Sequence, residues 1–278
     1  MGPDEREALF ERARELSTQQ RTWSDADALW GKVIDAYDAA VRDARMLDRN
    51  DVRQLARALW RRSMLLPMIG RAADGLAPGR RAVTLFEQLN DAVAAEEHDV
   101  TAARRDAALA ELITAMIDLG EVTFAAGDAD GRIALVDQAL GVGLRVVQPP
   151  AAGRRTRAAM ATGYHNHATA LVHRYLERGG DAQEAALAGS RAVQLRQELA
   201  DPAQPLSMWE LGNTYAIYAQ CLALIGDLDR AGMVLELGNA LVDVLRPAGA
   251  DIAAKLRVAA SLVDAARQAP KRRPWGRR

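Results

Sequence analysis

The sequence predicts an all-α fold, a stack of antiparallel helical hairpins. Three observations carry that expectation. Helix-favouring residues dominate: 49% of the 278 residues are hydrophobic but only 5% aromatic, and Ala, Leu and Arg prevail. Glycine followed by aspartate punctuates the chain at Gly127-Asp128, Gly180-Asp181 and Gly226-Asp227, and Gly70 marks a fourth break. Glycine ends a helix in the left-handed conformation at no Cβ cost, and aspartate accepts backbone N–H bonds as the next helix starts. No alternating apolar run is bounded by hairpin-turn residues, so no strand is predicted.

The stretch Tyr215 to Leu245 shows the unit most clearly, as two helices joined at Ile225-Gly226-Asp227. Taken in order, a first helix is expected from Asp4 to Gln20, with Leu9, Phe10, Ala13 and Leu16 as its apolar stripe. Ser24 or Asp25 is expected to cap a second helix, running to Leu47. Asn50 or Asp51 should cap the third, which Pro67 and Gly70 close near Ile69. The fourth spans Asp74 to His98, with Pro78 placed near its first turn. The fifth runs from Val100 to Ala126 and the sixth from Ala129 to Val147, before the break at Pro149-Pro150. The seventh covers Arg155 to Arg178 and the eighth runs from Asp181 to Ala200. The ninth spans Leu206 to Ile225 and the tenth Leu228 to Leu245. A solitary amphipathic helix is expected from Asp251 to Gln268, followed by the aperiodic basic tail 269–278, expected to be disordered.

Small residues recur at fixed offsets after the turn glycines: Gly75 and Ala82, Ala185 and Ala192, Ala231 and Gly238. The second unit keeps Ala139 at the later place but carries Arg132 at the earlier one. Two hairpins share the pattern G-x-R-A-V-x-L-x-x-x-L, at Gly79 to Leu89 and at Gly189 to Leu199. With the seven-residue spacing of Gly120 and Gly127, these features resemble the tetratricopeptide repeat. More narrowly, the phrase GDLDRA and the linker ELADPAQP are similar to the long-helix members common in actinobacteria. The resemblance covers Asp51 to Leu245. It implies a right-handed α-α superhelix, with residues 1–48 as a capping hairpin, 49–247 as about four repeats and 248–268 as a capping helix. The glycine spacings exceed the usual 34 residues of that family. Trp209-Glu210-Leu211-Gly212 mimics its opening motif out of register. Each such hairpin buries its apolar face only by stacking on neighbours.

If the family's geometry holds, the first helix of each hairpin lines a concave groove. The resemblance then places Arg57, Trp60, Arg61 and Met64 there, with Thr114, Ile117 and Glu121, with His167, Arg174 and Arg178, and with Asn213 and Gln220. Arginine could grip a peptide carboxylate as a planar fork and Trp60 could anchor an apolar side chain. The same positions also suit plain solvated helix faces. The family's carboxylate-clamp pattern is not reproduced.

Other chemistry is weakly signalled. His165 and His167 diverge by about 200° on a helix, and His173 is eight residues from His165, so no helical metal pair is expected. Gly141-Val142-Gly143 lacks the strand and motif of a phosphate loop. Cys221 is the lone cysteine, so neither an intramolecular disulfide nor a cysteine zinc site is expected, and its apolar neighbours suit a buried thiol. A net charge of -1 argues against a dedicated nucleic-acid binder. The exception is the tail, where Lys271, Arg272, Arg273, Arg277 and Arg278 surround Trp275. No apolar core marks a leader in MGPDEREALFERARE and no apolar run reaches 18 residues, so a cytoplasmic protein is expected. The expected function is a non-catalytic scaffold for a protein or peptide partner, without cofactor or metal. The alternatives are a small-ligand or signal-peptide sensor, and a helical enzyme centred on Tyr164, His165, His167 and Arg174. Self-association is compatible with all three.

Overall fold

The computed structural model describes residues 1–43, 48–96, 101–146, 152–246 and 249–268. Among them every regular element is helical. The α-helices are α1 (Pro3–Leu16), α2 (Trp23–Asp43), α3 (Arg49–Met68), α4 (Ala72–Ala95), α5 (Ala102–Ala125), α6 (Ala129–Val146), α7 (Arg154–Arg178), α8 (Ala182–Leu199), α9 (Pro205–Leu224), α10 (Leu228–Val244) and α11 (Ala250–Gln268). A short 3-10 turn, Gln20–Thr22, leads into α2. The chain divides into two compact units, Met1–Gly163 and Tyr164–Arg278, with the division inside α7.

The turn glycines behave as the sequence predicts. Gly70, Gly127, Gly180 and Gly226 all have positive φ, as does Gly179. Three turns repeat one hydrogen-bond pattern. The N–H of Arg71 bonds the Leu66 carbonyl (2.9 Å), that of Asp128 bonds Thr123 (3.1 Å), and that of Asp227 bonds Leu222 (3.0 Å). This six-to-one bond closes a helix over a left-handed residue and satisfies a terminal carbonyl. The following aspartates then accept from the next helix. Asp128 takes the Gly131 N–H (2.7 Å), Asp181 that of Gln183 (2.8 Å) and Asp227 that of Arg230 (3.3 Å).

Several local expectations are corrected. Helix α2 begins at Trp23, ahead of Ser24 and Asp25, because the 3-10 turn runs straight into it. The cap of α3 is Asp48, which accepts the Asn50 N–H at 2.8 Å, and Asp51 is instead gripped by both oxygens to Arg6. Because α4 starts at Ala72, Pro78 sits beyond its first turn. Ser63 on α3 donates its hydroxyl to the Gly75 carbonyl at 2.8 Å, close to that proline. The predicted ends at Leu47, His98 and Val147, the start at Val100, the break at Pro149-Pro150 and the basic tail lie outside the described residues.

In the first unit each helix packs on the next from α1 to α6, and α3 also touches α5. Its core begins with Trp30, edge-on to Phe10 at 5.0 Å, and continues through Leu55, Phe86 and Ile113. In the second unit α8 packs on α9, and α9 packs on both α10 and α11. Ala216, Leu245, Ile252 and Leu256 form the core beneath α11. Full burial of a side chain such as Leu256 stabilises by about 1.5–3 kcal/mol. The small repeat residues are packed inside: Ala82, Ala139, Ala185, Ala192 and Ala231 are buried, and a Cβ on Gly238 would stand 2.6 Å from Leu256 Cδ2.

Candidate functional site

The predicted groove residues of α3 and α5 are neighbours in the first unit. Helix α3 presents Arg53, Arg57 and Arg61 one turn apart, and α5 presents Glu111, Thr114, Asp118 and Glu121 at the same helical period. Arg53 and Arg57 both pair with Glu111, Arg53 at 3.1 Å. One turn on, the Trp60 indole N–H donates to Asp118 Oδ2 at 3.0 Å. The Arg61 guanidinium lies 4.9 Å from the Trp60 ring centre, and the same ring meets Phe86 edge-on at 6.4 Å. Trp60 is thus held from below by an apolar ring and from the side by a carboxylate, and a cation covers it.

The electrostatics of this patch are uneven. Burial pushes the Asp118 carboxyl up to about 6, the Trp60 bond and Arg61 oppose that, and Glu121 adds to it. Arg61 is held below the usual arginine range, first by desolvation, with Arg14 and Arg57 adding to that and Asp118 opposing it.

The remaining expected residues fall differently. Met64 is half-buried, and Thr114 donates its hydroxyl to the Ala110 carbonyl at 2.8 Å. Ile117 is corrected from a groove residue to a core residue: it is fully buried, and its Cδ1 stands 3.2 Å from where a Cβ of Gly163 would be. Asp118, one residue on, occupies the face instead. Glu121 is taken by Arg132 of α6, whose Nε donates at 2.9 Å. That buried Arg132 is the residue that breaks the small-residue rule, and its guanidinium also lies 4.9 Å from the Phe124 ring centre.

In the second unit α7, α9 and α11 share a second polar row. Lys255 Nζ donates to Asn213 Oδ1 at 2.6 Å, and Asn213 Nδ2 approaches His165 Nε2 at 3.4 Å. Thr214 Oγ1 lies 3.3 Å from His165 Nδ1 and donates to the Glu210 carbonyl at 2.8 Å. Asn213 is therefore engaged by α11. His165, rather than His167, faces this row; His167 is buried, with Nε2 3.7 Å from Glu184. Arg174 reaches the same Glu184 at 3.4 Å. Arg178 is exposed at the helix end and Gln220 is half-buried. Trp209, in the out-of-register motif, donates to Asp251 at 3.0 Å and carries Lys255 over its ring. Cys221 is buried and its thiol pushed up to about 12 by desolvation, which disfavours the nucleophilic form.

Turn-glycine registration missed Glu111, Asp118 and Lys255, and His165 entered only as a centre of the enzyme alternative. The signal was present for the first two, since 111, 118 and 121 keep the α-helical period of the half-buried face and oppose the arginine ladder in charge. Nothing in the sequence pairs Lys255 with Asn213 before α11 is known to pack on α9.

Among the solved structures similar to this chain are two that cover most of its length. Both are of nearly identical TPR-like repeats from a Podosopora anserina protein described as a putative kinesin light chain. One, a single-residue variant, is 16% identical over 87% of this chain and 96% of its own, with a TM-score of 0.52. The other is 15% identical over 88% of this chain and 99% of its own, with a TM-score of 0.53. This chain has the tetratricopeptide-like helical-repeat fold. No family model matches the chain, and no curated protein matches it. No helix among the described residues is long and apolar enough to cross a membrane.

Proposed function

We propose that this chain is a non-catalytic interaction scaffold that holds a protein or peptide partner on the face shared by α3 and α5. The observation that supports this reading is the stack Arg61–Trp60–Asp118, a cation on an indole that a half-buried carboxylate fixes in place. Such a group offers a flat apolar surface and a guanidinium fork side by side. A partner carboxylate meets the fork, and a neighbouring apolar side chain lies against Trp60 once Arg61 turns away. Because Trp60 is already oriented by Phe86 and Asp118, little ordering cost falls on the scaffold when the partner arrives. The site acts by holding, with no group in it poised as a nucleophile.

The test is affinity capture from the source cell with the full chain and with Arg61→Glu. A protein recovered by the parent and reduced at least tenfold with R61E, both chains having the same thermal midpoint, supports the reading. Equal recovery places recognition elsewhere.

A further inference from the structure

Helix α10 buries one side and leaves the other uncovered. Ala231, Val234 and Gly238 are buried, whereas Met233, Leu237, Ala240 and Val244 are exposed, Val244 by 73%. The four exposed residues are spaced four, three and four apart. At 100° per residue they fall within about 60° of one another and form a stripe about 16 Å long. That is the spacing of a packing seam. Beside it, about 70° round the helix, Asp229, Glu236 and Asp243 form an acidic row with a seven-residue period. Asp243 pairs with Arg246 at 2.6 Å, while Asp229 and Glu236 have no ion-pair partner among the described residues.

The end of α11 lies at the start of this stripe. Arg267 Nη2 stands 3.7 Å from where a Cβ on Gly232 would be. The next ten residues, 269–278, read APKRRPWGRR, with five cations, Trp275 and no acid. We propose that this segment docks in cis on the exposed face of α10, with Trp275 against Met233 and Leu237 and the cations along Asp229, Glu236 and Asp243. Reach favours it: the seven residues from Gln268 to Trp275 extend up to about 24 Å, longer than the stripe. Charge favours it, five positive groups meeting an acidic row that is largely unpaired. A second copy fits less well. A two-fold antiparallel pairing of two α10 helices keeps each acidic row on the same side, so the rows face one another and repel.

Docking gives the chain a built-in occupant for the uncovered apolar stripe on α10, and competition for that stripe becomes a way to expose the basic segment. The test uses the full chain. Lys271 is the only lysine of the segment and one of three in the chain, with Lys32 and Lys255, so zero-length carbodiimide coupling reports its neighbours. The expected product joins Lys271 to Asp229, Glu236 or Asp243 within one chain. In a mixture of isotopically light and heavy protein it carries a single label. Trp275→Ala keeps all the coupling groups and should lower that product about fivefold. Tryptic release of the tail after Lys271 or Arg272 should quicken about tenfold in the double variant Asp229→Lys, Glu236→Lys, whose thermal midpoint stays that of the parent. Products joining light to heavy chains would assign the stripe to a second copy and overturn cis docking. Coupling of Lys271 to carboxylates away from α10, or equal tail release in parent and double variant, would overturn it as well.

Discussion

The Trp60 indole donates to the Asp118 carboxylate across the α3–α5 boundary at 3.0 Å, and burial raises that carboxyl above the usual aspartate range. Burial lifts it from 3.8 to about 6, against the pull of the Trp60 bond. The folded value lies above the unfolded one. Its favourable contribution is therefore full below about pH 3.8 and is lost as pH rises through about 6. Asp118→Asn keeps an acceptor for the indole and carries no charge. At pH 7.5 it should be more stable than the parent by about 1–3 kcal/mol, and it should lack this fall in stability between about pH 4 and 6.5. Urea unfolding across that pH range measures both; an unchanged pH profile in D118N would show that Asp118 is not the group responsible.

Asp106 carries the opposite sign. Its burial alone would raise it, but bonds from Thr156 and Arg155 outweigh that and hold it below the usual aspartate value. From α5 it caps the start of α7, accepting the N–H groups of Arg155 (3.0 Å) and Thr156 (2.9 Å). A lowered folded value means that its stabilisation is present above about pH 3.8 and is lost as pH falls through the folded value. Asp106→Ala should cost about 1–2 kcal/mol at about pH 7 and free the first-turn amides of α7. Hydrogen exchange should show Arg155 and Thr156 exchanging faster in the variant, with the middle of α7 unchanged. Equal exchange in both proteins would mean that the cap contributes nothing.

These two aspartates mark how far the sequence could be read. Glycine-aspartate turns and small-residue offsets are local signals with their own backbone consequences, so the hairpins and their close contacts were legible. Asp106 was not, because its partners lie on α7, 50 residues away in the case of Thr156, and a side chain that caps a distant helix leaves no trace in local pattern. The α3–α5 face was half legible. Turn-glycine registration expected Arg57, Trp60, Arg61 and Ile117 on this face, but Ile117 is buried and Asp118, about 100° round the helix from it, is half-buried on the face instead. Arg132 looked like a lapse in the repeat, whereas the structure makes it the partner of Glu121.

That pair supports a prediction about uncompensated charge. Arg132 is buried, and Glu121 accepts from it at 2.8 and 2.9 Å. Removing the acid strands a guanidinium in an apolar setting, while removing both groups restores the small residue found at this place in the other repeats. Glu121→Ala should cost about 2–4 kcal/mol, and adding Arg132→Ala should recover a large part of that loss. Denaturant midpoints of the two single variants and the double variant form the cycle. Additive losses would mean that the contact is electrostatically idle.

The turn glycine Gly226 and the small-residue glycine Gly238 of the same hairpin should answer substitution in different ways. Gly226 has φ +79°, and a Cβ placed on it would meet nothing within 4 Å, so its constraint is conformational alone. Gly238 lies inside α10, and its Cβ would stand 2.6 Å from Leu256 Cδ2 on a side chain only 2% exposed, so its constraint is steric. Alanine at 238 gains about 1 kcal/mol of helix propensity but overpacks the α10–α11 contact by about 1–3 kcal/mol. Alanine at 226 is strained by about 1–2 kcal/mol in the left-handed region. Asparagine separates the two causes, because it enters that region more readily than alanine but is larger. Gly226→Asn should be more stable than Gly226→Ala, whereas Gly238→Asn should be less stable than Gly238→Ala and should loosen α11, seen as faster amide exchange between Ile252 and Leu256. The same ranking at both sites would show that the two glycines are kept for one reason.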